Sequence, residues 1–182
     1  MSAVAENAVK RIRGPVVVDV EGRVLTPGER QRLLHPLVGG VILFARNYAN
    51  KTQLRGLCAS IHALRSPPLL IAVDHEGGRV QRFRQGFSAI EAMRRLGDLW
   101  DQDMLGACAR AAEIGRTIGH ELLACGVDLS FTPVLDIDYQ RSSVIGDRAL
   151  HSDPRAVTML ARALLGGLLD AGMAHCATHF PG

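Results

Sequence analysis

The sequence predicts an α/β protein with a parallel sheet, and three observations carry that expectation. Short apolar runs alternate with segments whose apolar residues recur at helical spacing. The later runs open into polar residues at their C-terminal ends: Asp74, Asp136 and His179. Neither a G-x-G-x-x-G turn nor a phosphate-binding G-x-x-x-x-G-K-[ST] loop is present, so nothing points to a nucleotide-binding doubly wound sheet.

Residues 1–13 carry scattered charge and no period, and read as a flexible N-terminus. Pro15 to Val20 is the first strand. Thr26-Pro27-Gly28-Glu29 starts a helix: Thr26 as N-cap, Pro27 at the first helical position, and Glu29 closing a capping box. That helix runs to about His35, before Pro36. Gly39 to Phe44 is the second strand and opens into Arg46-Asn47-Tyr48. Asn50 and Gln53 start the next helix, with Leu54, Leu57, Ile61 and Leu64 on one face, and Ser66-Pro67-Pro68 ends it. Pro68 to Val73 is the third strand. Residues 85–103 read as irregular to helical. A long helix spans about 104–125, with Gly126 placed to end it. Val127 to Val134 is the fourth strand, running into Asp136 and a loop from Tyr139 to Ser152. Asp153-Pro154 caps a helix with Val157, Leu160, Leu164 and Leu168 on one face. Met173 to Phe180 is the fifth strand.

Five strands alternating with helices imply parallel pairing through right-handed crossovers. Polar groups at the C-terminal strand ends fit a TIM (β/α)8-type barrel, which carries its site on that face. Such a barrel needs about 250 residues. The 182 residues here supply about five β/α units, so the expected fold is an incomplete barrel. The chain stops on His179-Phe180-Pro181-Gly182, which reads as the middle of a loop.

The densest chemistry lies at Val73-Asp74-His75-Glu76-Gly77-Gly78-Arg79-Val80-Gln81-Arg82. The glycines allow positive φ or a close backbone approach. Asp74 can accept from hydroxyls and Arg82 can donate a planar fork. The plainer alternative is a tight turn held by a local Asp74–Arg82 pair. His75-Glu76 begins an H-E-x-x-H pattern, but Arg79 stands where the second histidine belongs, so no metal is expected.

Composition narrows the function classes. Net charge is +3 without a basic run, and one Trp, two Tyr and five Phe leave little for base stacking, so nucleic acid is not an expected partner. No segment reaches the roughly 18 apolar residues of a membrane span, and no signal-peptide core is evident; the expected compartment is cytoplasmic. Cys58, Cys108, Cys125 and Cys176 form no C-x-x-C pair and read as buried free thiols. Asp19, Asp136 and Asp147 read as structural hydrogen-bonding groups, His62 as a packed or surface imidazole within a helix, and His35 and His151 as surface or cap residues.

Five segments then point to a family. They are Gly40-Val41-Ile42-Leu43-Phe44-Ala45-Arg46-Asn47-Tyr48, the Val73–Arg82 run, Phe131-Thr132-Pro133-Val134-Leu135-Asp136, Ile145-Gly146-Asp147-Arg148 and His179-Phe180-Pro181-Gly182. In this order they resemble bacterial β-N-acetylglucosaminidases of glycoside hydrolase family 3. The resemblance covers residues from about 14 to 182, the N-terminal part of the family's barrel. It implies a cytoplasmic, cofactor-free and metal-free retaining glycosidase of peptidoglycan recycling. Such an enzyme removes terminal β-linked N-acetylglucosamine from muropeptides such as GlcNAc-1,6-anhydro-MurNAc peptides. Its sugar-binding residues carry over onto Asp74, Arg82, Arg148 and His179. The family's lysine before His179 is Thr178 here, an uncharged and shorter group that implies a weaker contact. The family's acid/base histidine and nucleophilic aspartate fall after Gly182, so no catalytic residue is expected within this chain. The expectation is a sugar-binding part that does not hydrolyse alone; the alternative is an inactive half-barrel that binds amino sugar or a partner chain. Asp74 with Asp136 as a replacement catalytic pair is a further, less favoured alternative, since no feature isolates either carboxylate.

Overall fold

The computed structural model describes residues 14–179. Residues 1–13, read above as a flexible N-terminus, and Phe180-Pro181-Gly182 lie outside the described residues. Five strands form one sheet: β1 (Val16–Asp19), β2 (Val38–Leu43), β3 (Leu70–Val73), β4 (Leu129–Ser130) and β5 (Ala174–His175). Their spatial order is their chain order, and every pair is parallel. A doubly wound sheet reverses its strand order at a switch point. This sheet adds each strand to the same edge, as a (β/α) barrel does, and the described residues hold four β/α units and a fifth strand. In register, Val41 lies between Val18 and Ile71, and Leu43 pairs with Val73.

The helices are α1 (Pro27–Leu33), α2 (Lys51–His62), α3 (Arg94–Trp100), α4 (Met104–Leu123) and α5 (Pro154–Asp170). The capping box of α1 forms as expected. Glu29 N–H donates to Thr26 Oγ1 at 3.2 Å, and Thr26 N–H donates to Glu29 Oε2 at 2.8 Å. Asn50 caps α2 by accepting from Gln53 N–H at 2.9 Å, and Asp153 caps α5. Leu54, Leu57 and Ile61 of α2, Ile118 and Leu122 of α4, and Leu160, Leu164 and Leu168 of α5 are buried in one apolar core with Val41, Leu43, Ile71 and Val73 of the sheet. The last turns of α4 and α5 give way to Gly126 and Gly172, both at positive φ.

Helices α4 and α5 touch backbone to backbone. A Cβ on Gly115 would lie 2.1 Å from Leu164 O, and one on Gly167 would lie 2.0 Å from Ala112 O. Only glycine permits that approach at either position.

Two expectations change. The fourth and fifth strands are two-residue ladders, not the longer runs Val127–Val134 and Met173–Phe180. Beyond them the chain pairs by single contacts, such as the bridge between Val134 and Thr178. Pro133 sits inside the fourth run and has no N–H to donate, which interrupts the ladder. The thiols are free, yet only Cys58 and Cys125 are buried; Cys108 is half-buried and Cys176 exposed. His151, read as a surface or cap residue, is buried at the start of α5: Nε2 bonds Asp101 at 3.0 Å and Nδ1 accepts at 2.9 Å from the N–H of Asp153, the N-cap residue. Among the described residues no helix is long and apolar enough to cross a membrane, and no group of His, Cys, Asp and Glu is placed to hold a metal ion.

Candidate functional site

The C-terminal ends of the strands are stitched by pairs of acidic and basic side chains. Between β1 and β2, Asp19 pairs with Arg46. Buried Asn47 adds to that seam, donating to Val20 O at 3.0 Å and Gly22 O at 2.7 Å. Beyond β3, Asp74 accepts from Arg82 Nη2 at 3.1 Å. Between the β3 and β4 loops, Glu76 takes both prongs of Arg148: Nε at 2.8 Å and Nη2 at 2.8 Å. Between β4 and β5, Asp136 Oδ2 lies 2.6 Å from His179 Nδ1 and also accepts from His179 N–H at 3.3 Å.

The loop after β3 is shaped for this. Gly77 has φ +100° and Gly78 φ +51°. A Cβ on Gly77 would meet Glu91 O at 2.5 Å, so the loop lies directly against the 90–92 backbone. Gly78 N–H donates to Ile90 O at 2.8 Å. Buried Gln81 staples the loop on itself: its amide donates to Phe83 O and Ser88 O, and its Oε1 accepts from Ile90 N–H at 3.0 Å. Asp74 and Glu76 are two residues apart in an extended segment and so share a side.

Arg148 comes from a 3₁₀ turn, Gly146–Arg148, in the β4–α5 loop. Its pKa is raised above the usual guanidinium value, first by the hydrogen bonds it donates to Glu76 and further by the charges of Glu76, Asp136 and Asp74. Burial works in the opposite direction. Glu76 is 3% exposed, so this pair is shielded from water. Opposite a carboxylate, which accepts, His179 Nδ1 is the donor, and His179 Nε2 has no partner among the described residues.

The structure therefore brings Asp74, Arg82, Arg148 and His179 to one face of the sheet. Thr178 is half-buried at the same strand end, but it is engaged through its backbone: its N–H donates to Pro133 O at 2.9 Å and its carbonyl accepts from Leu135 N–H. Asp74–Arg82 forms the local ion pair of the plainer reading, just beyond the end of β3. Of the residues read as structural, Asp19 pairs with Arg46 and Asp147 with Arg79 at 3.4 Å, while His62 bonds Asp128 at 2.9 Å. Glu76 was not singled out from sequence; its offset of two from Asp74 was the available signal.

His75 lies between the two carboxylates in sequence but turns inward. It is 1% exposed, with ring centroids 5.8 Å from Phe83 and 5.5 Å from Phe87. Its Nδ1 has no partner among the described residues. Burial, helped by the charge of Arg84, lowers its pKa to about 4. It is neutral at pH 7.

Comparison with known proteins agrees with this geometry. The family described as glycosyl hydrolase family 3 N terminal domain matches residues 16–182. A beta-hexosaminidase of Bordetella avium is 64% identical over 170 residues, covering 93% of this chain and 49% of that protein. The structure of NagZ from Neisseria gonorrhoeae in complex with N-trifluoroacetyl-D-glucosamine superposes with TM-score 0.92 at 54% identity, over 94% of this chain and 52% of that one. A family 3 β-N-acetylglucosaminidase from Paenibacillus sp. superposes with TM-score 0.83 at 32% identity, over 96% of this chain and 33% of that one. The chain spans about half the length of the curated relatives it matches. With strands wound in barrel order and a family match over nearly its whole length, the chain belongs to glycosyl hydrolase family 3 and represents that family's N-terminal domain.

Proposed function

We propose that this chain supplies the sugar-binding face of a retaining β-N-acetylglucosaminidase acting on muropeptides during cytoplasmic peptidoglycan recycling. One observation carries the reading: acid–base pairs converge on the C-terminal strand ends in a chain 64% identical to a beta-hexosaminidase. A pyranose offers hydroxyls that both donate and accept, and an acetamide that does the same. Asp74 accepts, Arg82 and Arg148 donate, and His179 Nε2 accepts; charged partners make the stronger bonds. Thr178 supplies one uncharged hydroxyl. A related protein with N-trifluoroacetyl-D-glucosamine bound supports an N-acetylated sugar as ligand.

The chemical step needs a nucleophile and an acid on either side of the glycosidic bond. Asp74, Glu76 and Asp136 are each engaged with a basic group, which suits binding and positioning better than bond cleavage. No metal or cofactor enters the reading. Titration calorimetry of the purified chain with N-acetylglucosamine tests it. Asp74→Asn and Arg148→Gln should each weaken binding about tenfold, the loss of one charge-assisted hydrogen bond. An affinity untouched by both substitutions overturns the assignment. Hydrolysis of a chromogenic β-N-acetylglucosaminide by this chain, abolished in Asp74→Asn, would show that the reactive groups lie here after all.

A further inference from the structure

Next to Asp74–Arg82 lies a cleft of about 500 Å³ that shares only Arg82 with the proposed sugar contacts. Arg23, Arg79, Arg82 and Arg84 line it, and none of its lining residues is an aspartate or glutamate. Two of these cations are answered by carboxylates: Arg82 by Asp74, and Arg79 by Asp147 at 3.4 Å. The other two are not. Arg84 donates only to Gly78 O, at 2.7 Å, and the Arg23 guanidinium has no partner among the described residues. Two uncompensated guanidinium groups in one concavity attract an anion, which they can grip through planar forks.

The walls are held in place before any ligand arrives. The Tyr48 hydroxyl donates to Gln85 O, and the Tyr48 ring packs 5.0 Å from Phe83 and 5.6 Å from Phe87. Gly86, at φ +83°, turns the chain at that corner. Among the other lining residues, the Arg23 carbonyl accepts from Gln53 Nε2 at 2.8 Å. Fixed walls reduce the ordering cost of binding.

We propose that this cleft is an anion subsite, contiguous with the amino-sugar site through Arg82, which takes a carboxylate or phosphate carried on the bound sugar. Arg23 and Arg84 are its ligating residues, and Arg79 sets its field. The inference rests on the sugar-binding reading above and deepens it by naming the charge of the substituent.

Two matched pairs of probes test it by calorimetry at low salt. One pair is 4-carboxyphenyl β-N-acetylglucosaminide and its methyl ester, which differ by a charge on the aglycone. The other is N-acetylglucosamine 6-phosphate and N-acetylglucosamine, which differ by a charge on the sugar itself. In at least one pair the anion should bind about tenfold more tightly, a factor worth about 1.4 kcal/mol. That advantage should shrink as salt rises and vanish in Arg23→Gln and Arg84→Gln, while the neutral probes bind as before. Arg84→Lys should keep part of it, which separates charge from folding. The exposed Arg162→Gln should change nothing. Equal affinities within both pairs, or an advantage that survives both arginine variants, overturn the anion subsite and leave the sugar site standing. Failure of the neutral probes to bind at all overturns the sugar site itself.

Discussion

At the scale of single residues, Glu76 and Arg148 are the pair on which the site depends most. Glu76 is almost fully buried and meets both prongs of a guanidinium whose side chain is 15% exposed. Removing one partner of a buried pair leaves the other charge without compensation, at roughly 3–5 kcal/mol. Glu76→Ala should lower the urea midpoint by a corresponding amount and weaken N-acetylglucosamine binding at the same time, because Arg148 loses its orientation. Unchanged unfolding in that variant would show that the pair holds nothing together. His75 makes a second prediction, about pH. An unfolded histidine titrates near 6.5, while this one, folded, titrates near 4. Between those values the unfolded chain takes up a proton that the folded chain refuses. Stability is therefore full above pH 6.5 and falls as pH drops toward 4, by a loss on the order of 3 kcal/mol. Urea unfolding of wild type and His75→Leu across that range measures it, and the variant should show the shallower dependence. Asp74–Arg82 was legible in sequence because both residues lie within one short motif. Arg148 was legible only through family resemblance, and Glu76 escaped notice because its partner lies 72 residues away.

At the scale of elements, local chemistry was the readable part. The α1 capping box, the Asn50 cap of α2 and the Asp153 cap of α5 all stand where short-range signals put them. Strand extent was less readable, because a ladder depends on the neighbour as well as on the run itself. Past β4 the chain still bonds across, with Cys176 N–H donating to Ser130 O at 3.1 Å, but Pro133 removes a donor and the regular ladder ends. The α4–α5 contact was not foreseen at all, since glycine at a helix crossing looks like any helical glycine in sequence. It yields a third prediction. Gly167→Ala places a methyl group 2.0 Å from Ala112 O, a backbone atom that cannot swing aside. Overpacking of this kind costs about 1–3 kcal/mol. Gly166, next to it, has nothing within 4 Å of its own Cβ position, so Gly166→Ala should gain slightly from helix propensity. Thermal melts of the two variants should move in opposite directions, and equal destabilisation would mean the helices do not meet at Gly167.

At the scale of the whole molecule, barrel-order winding leaves a consequence at each side of the sheet. Among the described residues β1 and β5 pair with one neighbour only, so each presents unpaired N–H and C=O groups outward. On the β1 side Val16 and Val17 are 42% and 51% exposed, and Leu34 and Leu37 are exposed beside them. A cavity of about 560 Å³, lined partly by Val16, Leu37 and Val38, opens on the same side. A bare strand edge with apolar neighbours invites another chain to complete the pairing. In a closed barrel that role falls to the strand bonded on the far side of β1, because closure alone removes edges. The 182-residue chain on its own should therefore self-associate. Sedimentation velocity should show larger species growing with concentration, and Val17→Lys, which puts a charge on the edge, should suppress them. A cooperatively melting monomer at every concentration would mean that the β1 edge is already protected by some other device. The same substitution should leave N-acetylglucosamine affinity unchanged, because Val17 lies on the outer strand while the binding pairs cluster beyond β3, β4 and β5. Association and sugar binding thus belong to different parts of one sheet and can be switched off separately.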